Sequence, residues 1–179
     1  MNKDVEKILF TEGDIAREVK KCAAWLDERY KNTTPLAVSV LKGSVIFFCD
    51  LVRAMNTPVQ MDFMTITSYG ASSQSSGVPK IVMDLAAPVE GRDVLLVEDI
   101  VDSGHTLVKM RSLLEGRGAK SFTVVTLLDK PSRRQVDVKA DYSCFEVGNE
   151  FIVGYGLDYA QQCRNLPYVG ILKRSVYEK

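Results

Sequence analysis

Two hydrophobic rhythms alternate along the chain. Ile15, Val19, Cys22, Ala23 and Leu26 recur at helical spacing and predict the buried face of a helix. Thr11 with Asp14 three residues later is a capping-box pattern that marks its start, and its end is expected near Tyr30. PLAVSVL (35–41) is a short apolar run that predicts a buried strand, interrupted by Lys42-Gly43. SVIFFCDLVRAM (44–55) is apolar enough for a buried helix, and VQMDFMTI (59–66) alternates as a strand does. KIVMDL (80–85) and DVLLVEDI (93–100) predict two more strands, joined through a turn-like Pro88–Gly91 region. Leu107, Met110, Leu113 and Leu114 form another apolar helical face, which Gly116 and Gly118 terminate. SFTVVTLLDK (121–130) is strand-like, and DYSCFEV (141–147) and FIVGYGL (151–157) predict shorter strands.

Strands near 36, 60, 94 and 122 thus interleave with helices near 15, 45 and 106. That order predicts an α/β fold with a mostly parallel central sheet flanked by helices, in one domain over residues 1–179. Ligands of such sheets bind beyond the carboxyl ends of the strands. Three polar clusters fall there: Lys42-Gly43, Glu98 to Thr106, and Asp129-Lys130. TSYGASSQSSGVP (67–79) keeps no apolar period. Its composition alone leaves a surface loop and a lid equally open.

Composition narrows the picture in a few places. The 179 residues are 46% hydrophobic and 26% charged, ordinary for a soluble domain with a sizeable core. Lys+Arg and Asp+Glu are both 23, so the zero net charge speaks against nucleic acid or an acidic membrane as a whole-surface partner. No apolar run approaches the ~20 residues of a membrane span, and residues 1–14 lack a signal-peptide core, so the expectation is a cytoplasmic protein. Cys22, Cys49, Cys144 and Cys163 form no C-x-x-C pair, and with one histidine they support no zinc site. Cys22 and Cys49 lie among apolar residues and are expected to be buried, and disulfides are not expected.

The chemistry concentrates in VLLVEDIVDSGHTL, residues 94–107. Asp102 to Thr106 reads as a strand-to-helix turn of small residues, with open backbone N–H groups and a helix N-terminus behind them. Such a turn suits a phosphate. Glu98 and Asp99 are adjacent, and neighbouring strand side chains point to opposite faces, so the strand is expected to be ending there. Carboxylates repel a phosphate unless a Mg2+ ion or donating sugar hydroxyls intervene. Acids that merely solvate a strand end are the plainer alternative.

The same stretch closely resembles the phosphoribosyl-pyrophosphate (PRPP) signature of type I phosphoribosyltransferases. With LKG (41–43), SYG (68–70), LLDKP (127–131), FIVGYGLDY (151–159) and Arg164, the chain resembles the bacterial hypoxanthine (hypoxanthine-guanine) branch of the type I purine family. The resemblance runs from about residue 35 to the end. It implies transfer of the 5-phosphoribosyl group from PRPP to hypoxanthine and/or guanine, giving IMP or GMP and pyrophosphate, with Mg2+ as cofactor. It further implies a homodimer or homotetramer, and a small hood built from about 150–179 with the N-terminal region.

Roles follow by resemblance, position by position. Asp102 matches the acid that handles the proton at purine N7, and Asp102, Ser103, Gly104, His105 and Thr106 match the 5′-phosphate loop. His105 occupies a variable position of that loop and carries no implied acid–base role. Glu98 and Asp99 match the pair that holds the ribose hydroxyls and their Mg2+, with Asp158 as a further metal-site carboxylate near the purine's 2-position. Lys42, Gly43 and Arg164 match the pyrophosphate site, where the 41–42 peptide is often cis. Lys130 matches the donor to the purine 6-oxo group, Phe151 the ring that stacks on the base, and Ile152 a backbone contact to it. Ser68 and Tyr69 match the tip of a mobile lid over 67–79, and Arg134 is expected to help order a neighbouring loop. Two other readings stay on the table: a PRPP-sensing regulator that gave up catalysis, and a different α/β phosphate enzyme with an aspartate nucleophile.

Overall fold

Leu36–Leu41 (β2) has five consecutive buried residues, a pattern only a strand covered on both faces can sustain. In the computed structural model, which describes residues 2–67 and 80–178, β2 lies inside a six-stranded sheet. Its other strands are Gln60–Thr67 (β3), Lys80–Met83 (β4), Asp93–Val101 (β5), Ser121–Asp129 (β6) and Tyr142–Glu146 (β7). The order is β4-β3-β2-β5-β6-β7, parallel throughout except for the antiparallel edge strand β4. The predicted fold class is the observed one.

Side-chain alternation along β5 divides the core. Leu95 and Val97 pack with Ile15, Cys22 and Leu26 of Glu12–Arg29 (α1) and with Phe47, Phe48 and Leu51 of Val45–Ala54 (α2). Val94 and Leu96 pack instead with Leu107, Met110 and Leu114 of His105–Gly116 (α3). Helices therefore cover both faces, and β2, β5 and β6 all end at one edge. Lys42-Gly43, the 102–106 turn and Lys130 follow those three ends. The Thr11 capping box is formed: Asp14 N donates to Thr11 Oγ1 at 3.2 Å and Thr11 N donates to Asp14 Oδ2 at 3.0 Å.

A second, antiparallel sheet joins the two ends of the described chain in the order β1-β9-β8, from Val5–Phe10 (β1), Ile152–Val153 (β8) and Val169–Leu172 (β9). Val5, Val153 and Leu172 form its small core. A short helix, Arg174–Tyr177 (α4), follows β9.

Three expectations need correction, and one strand holds a buried acid. β5 does not end at the acids: its ladder continues through Ile100↔Leu128 to Val101↔Asp129, so Glu98 and Asp99 lie within the strand, on opposite faces. FIVGYGL is a strand only at Ile152–Val153, because Gly154, Tyr155 and Gly156 take positive φ values of 99°, 48° and 104° and turn the chain. Cys49 is exposed, since α2 turns Phe47, Phe48 and Leu51 inward instead. In β3 the polar residue Asp62 is buried and Met61 is exposed. Asp62 accepts 2.8 Å hydrogen bonds from Phe63 N and Ala87 N and so fastens the turn after β4.

Candidate active site

Glu98 is the more deeply placed acid. It sits opposite Thr126 in the sheet, 7% exposed, and its Oε1 has no hydrogen-bond partner. Burial, and then the Asp99 charge, push its pKa well above the usual carboxylate range. Asp99 emerges on the other face. Burial raises it to about 6, against the Ile100 amide, which donates to Oδ1 at 2.8 Å, and the Arg164 charge. Each of these acids is held reluctant to ionise, a state that a nearby cation would relieve.

The turn after β5 is shaped by Gly104, whose φ is +88° and whose missing Cβ would lie 2.6 Å from Val138 Cγ1. This glycine is the N-cap of α3 and makes no side-chain cap hydrogen bond. Backbone N–H groups of the first turn of α3 are therefore available there. Glu98, Asp102, Ser103, Gly104 and Thr106 line one cavity of about 210 Å3 at this place. Arg134 braces the turn from outside, donating to the Asp102 carbonyl and pairing with the Asp129 carboxylate. His105 is exposed and lies 3.1 Å from Gln135 Oε1 through Nε2, turned to another loop.

A second cavity of about 520 Å3 opens beside it. Six predicted residues line it: Asp99, Asp102, Lys130, Phe151, Ile152 and Asp158. Lys130 is buried, and its ammonium donates to the Glu150 carbonyl at 2.7 Å. Burial lowers its pKa, while the Asp102 charge acts the other way. Arg133, Asn149 and Tyr177 also line this cavity and had no signal in the sequence. Arg133 Nε stands 2.9 Å from Asp102 Oδ1, an ion-pair approach without hydrogen-bond alignment.

The third group sits where β2 ends. The Leu41–Lys42 peptide is cis, and Lys42 is exposed. Gly43 is wedged: Asp99 Oδ2 would lie 1.6 Å from a Cβ on it, and Gly43 O would lie 2.0 Å from a Cβ on Gly156. Arg164 and Asp158 meet each other. Arg164 Nη2 lies 2.7 Å from Asp158 Oδ1, and Nη1 donates to the Gly156 carbonyl at 2.7 Å. Asp158 Oδ2 accepts from Gln161 N at 2.8 Å. Ser68 and Tyr69 lie outside the described residues. A cavity of about 560 Å3 between α1, α2 and residues 165–167 includes none of these groups.

Among the described residues no three His, Cys, Asp or Glu side chains gather to hold a metal. Glu98, Asp99 and Asp158 therefore do not make a preformed cage. The donor set still fits Mg2+, which binds through one or two carboxylates while substrate oxygens and water complete its octahedron. The orphaned buried Oε1 of Glu98 is the observation that agrees with this.

Comparison with known proteins agrees with this architecture. The phosphoribosyl transferase domain family matches residues 7–160. The chain is 53% identical over 178 residues to the hypoxanthine-guanine phosphoribosyltransferase of Bacillus subtilis, covering 99% of each. It is 48% identical over 179 residues to that of Streptococcus thermophilus, covering 100% of this chain and 99% of the other. The crystal structure of a Staphylococcus aureus hypoxanthine phosphoribosyltransferase superposes with a TM-score of 0.94 at 42% identity, covering 98% of this chain and 96% of that one. With the sheet order, the 102–106 turn and these relatives in agreement, the chain belongs to the phosphoribosyltransferase family, in its hypoxanthine-guanine branch.

Proposed function

We propose that this protein transfers the 5-phosphoribosyl group of PRPP to hypoxanthine and guanine, releasing pyrophosphate and forming IMP or GMP. The observation that carries the reading is the shared cavity of Lys130 and Asp102 beside the phosphate turn. One group suits a 6-oxo acceptor and the other suits the ring proton of the same purine.

In this reading the 5′-phosphate accepts from the Ser103 and Thr106 hydroxyls and the first-turn amides of α3. Glu98 and Asp99 hold the ribose hydroxyls. Pyrophosphate is met by the Lys42–Gly43 backbone and by Arg164, whose fork can exchange Asp158 for phosphate oxygens. The purine stacks on Phe151, bonds the Ile152 backbone, and accepts from Lys130 at its 6-oxo group. As the C1′–oxygen bond to pyrophosphate breaks and a C1′–nitrogen bond to the base forms, Asp102 takes the proton the base loses at N7. Bound Mg2+, held by Glu98, Asp99 and PRPP, would neutralise charge that develops on the leaving group. Ser68 and Tyr69 would close over the site and exclude water from an electron-poor sugar. The same reading gives a homodimer or homotetramer in the cytoplasm. Among the described residues no helix is long and apolar enough to cross a membrane.

The experiment is a spectrophotometric assay with PRPP, Mg2+ and each of hypoxanthine, guanine, xanthine and adenine. Turnover of hypoxanthine or guanine with rejection of adenine is expected, because a 6-amino group offers Lys130 a donor where an acceptor is wanted. Turnover of adenine alone would overturn the reading. Absence of turnover together with salt-sensitive RNA binding would favour the regulatory alternative.

A further inference from the structure

The aromatic side of the base cavity contains more than Phe151. Tyr177, the last residue of α4, lines the cavity together with Lys130, Phe151 and Asp158. Its ring centroid lies 5.1 Å from that of Phe151, with 30° between the planes. Tyr159 meets Phe151 edge-on, at 5.5 Å and 86°. Phe151 therefore has two aromatic neighbours and still keeps 36% of its surface exposed. That leaves ring area for a flat ligand.

The segment that carries Tyr177 is anchored by hydrogen bonds to three different parts of the molecule. Leu172 N donates to Phe151 O at 2.8 Å, so the strand before α4 is bonded to Phe151 itself. Lys173 N donates to Asp4 O at 2.9 Å. The Tyr159 hydroxyl donates to Val176 O at 3.2 Å, so the ring that meets Phe151 edge-on also holds the residue before Tyr177. A base inserted between the Phe151 and Tyr177 rings would need two contacts of about 3.5 Å each, more than their separation allows. Tyr177 therefore stands beside Phe151, and a base would stack on the ring area that remains.

We propose that Tyr177 is a positioning residue for the purine: it fixes the plane of the Phe151 ring, so that the C-terminal turn sets how tightly the base is held. This rests on the cavity being the purine site. Full-length wild type, Tyr177→Ala and Tyr177→Phe are compared in steady-state kinetics, with base and PRPP varied separately and thermal unfolding measured alongside. Tyr177→Ala is expected to raise KM for hypoxanthine and guanine about two- to tenfold, the range to which an aromatic pair's contribution converts. KM for PRPP and kcat stay at wild-type values, Tm falls only by the small amount that one lost ring pair accounts for, and Tyr177→Phe restores the base KM because the ring carries the role. An unchanged base KM in Tyr177→Ala overturns the proposal. So does a parallel loss in every parameter with a lowered Tm, or a Tyr177→Phe variant no better than alanine. If the wild type uses neither base, the purine reading falls too; if it turns over and Tyr177→Ala matches it, only the role of Tyr177 falls.

Discussion

A Cβ on residue 43 would lie 1.6 Å from Asp99 Oδ2 and 2.6 Å from its carboxyl carbon. The two groups are in direct contact, so the clash cannot be relieved without moving either the Lys42–Gly43 segment or the Asp99 carboxylate. Gly43→Ala is expected to lower kcat/KM for PRPP about a hundredfold, the cost of misplacing a reacting group by an ångström. Steady-state kinetics with PRPP varied checks this, and a near-wild-type value would show that the wedge is slack. Single residues also mark where sequence reading reached its limit. The alternation of VQMDFMTI predicted the strand, and within it the polar Asp62 is buried and holds the Ala87 amide. Alternation reports which residues share a face, not which face is covered. Cys49 was read from its apolar neighbours in sequence, but along α2 it shares its side with Asp50 and Arg53, while Phe47, Phe48 and Leu51 turn inward.

Helices and strands were most legible where one face is buried over several turns or pairs. The α1 face read from spacing is the face the core uses, and β2, β5 and β6 stand where apolar runs predicted them. β1 gave no comparable signal. Its pairing with β9 shifts register twice, between Val5 and Lys7 and between Ile8 and Phe10, so no two-residue period survives in VEKILF. Connections between elements are held by polar groups as well. Asp27 of α1 accepts from the Asn56 and Thr57 amides, at 2.9 and 2.8 Å to Oδ1, at the start of the segment leading into β3. Burial raises its pKa, but these bonds outweigh burial and the net shift is downward. A carboxyl depressed in the folded state stabilises above its unfolded pKa, and that contribution fades as pH falls below about 4. Asp27→Ala is expected to lower stability by about 1 kcal/mol at pH 7. The difference from wild type should narrow at pH 3 in urea unfolding; a gap independent of pH would assign it to packing.

At the scale of the whole molecule, two sheets build one site. The six-stranded sheet delivers the 102–106 turn, the acids and Lys130, while the small β1-β9-β8 sheet carries Ile152 and borders Phe151 and Tyr177. The first half of that site was legible because each group follows directly on an apolar run. Arg133, Asn149 and Tyr177 were not, since a three-residue turn, a loop and a four-residue helix have no period to read. The division has a measurable consequence. Val5 is fully buried in the small core with Val153 and Leu172. Val5→Ala should cost about 2 kcal/mol and raise KM for the base more than KM for PRPP. Equal effects on the two substrates would mean that the small sheet does not act separately on the base. The proposed function turns on Asp102, which lines both the cavity at the 102–106 turn and the cavity that holds Lys130. The most direct measurement compares wild type with Asp102→Ala for kcat and for the dissociation constant of PRPP. The expected result is a loss of kcat of about 10²- to 10⁴-fold, the usual worth of a positioned proton-transfer group, with PRPP binding retained. Loss of binding in the same proportion as kcat, or an undiminished kcat, would contradict it.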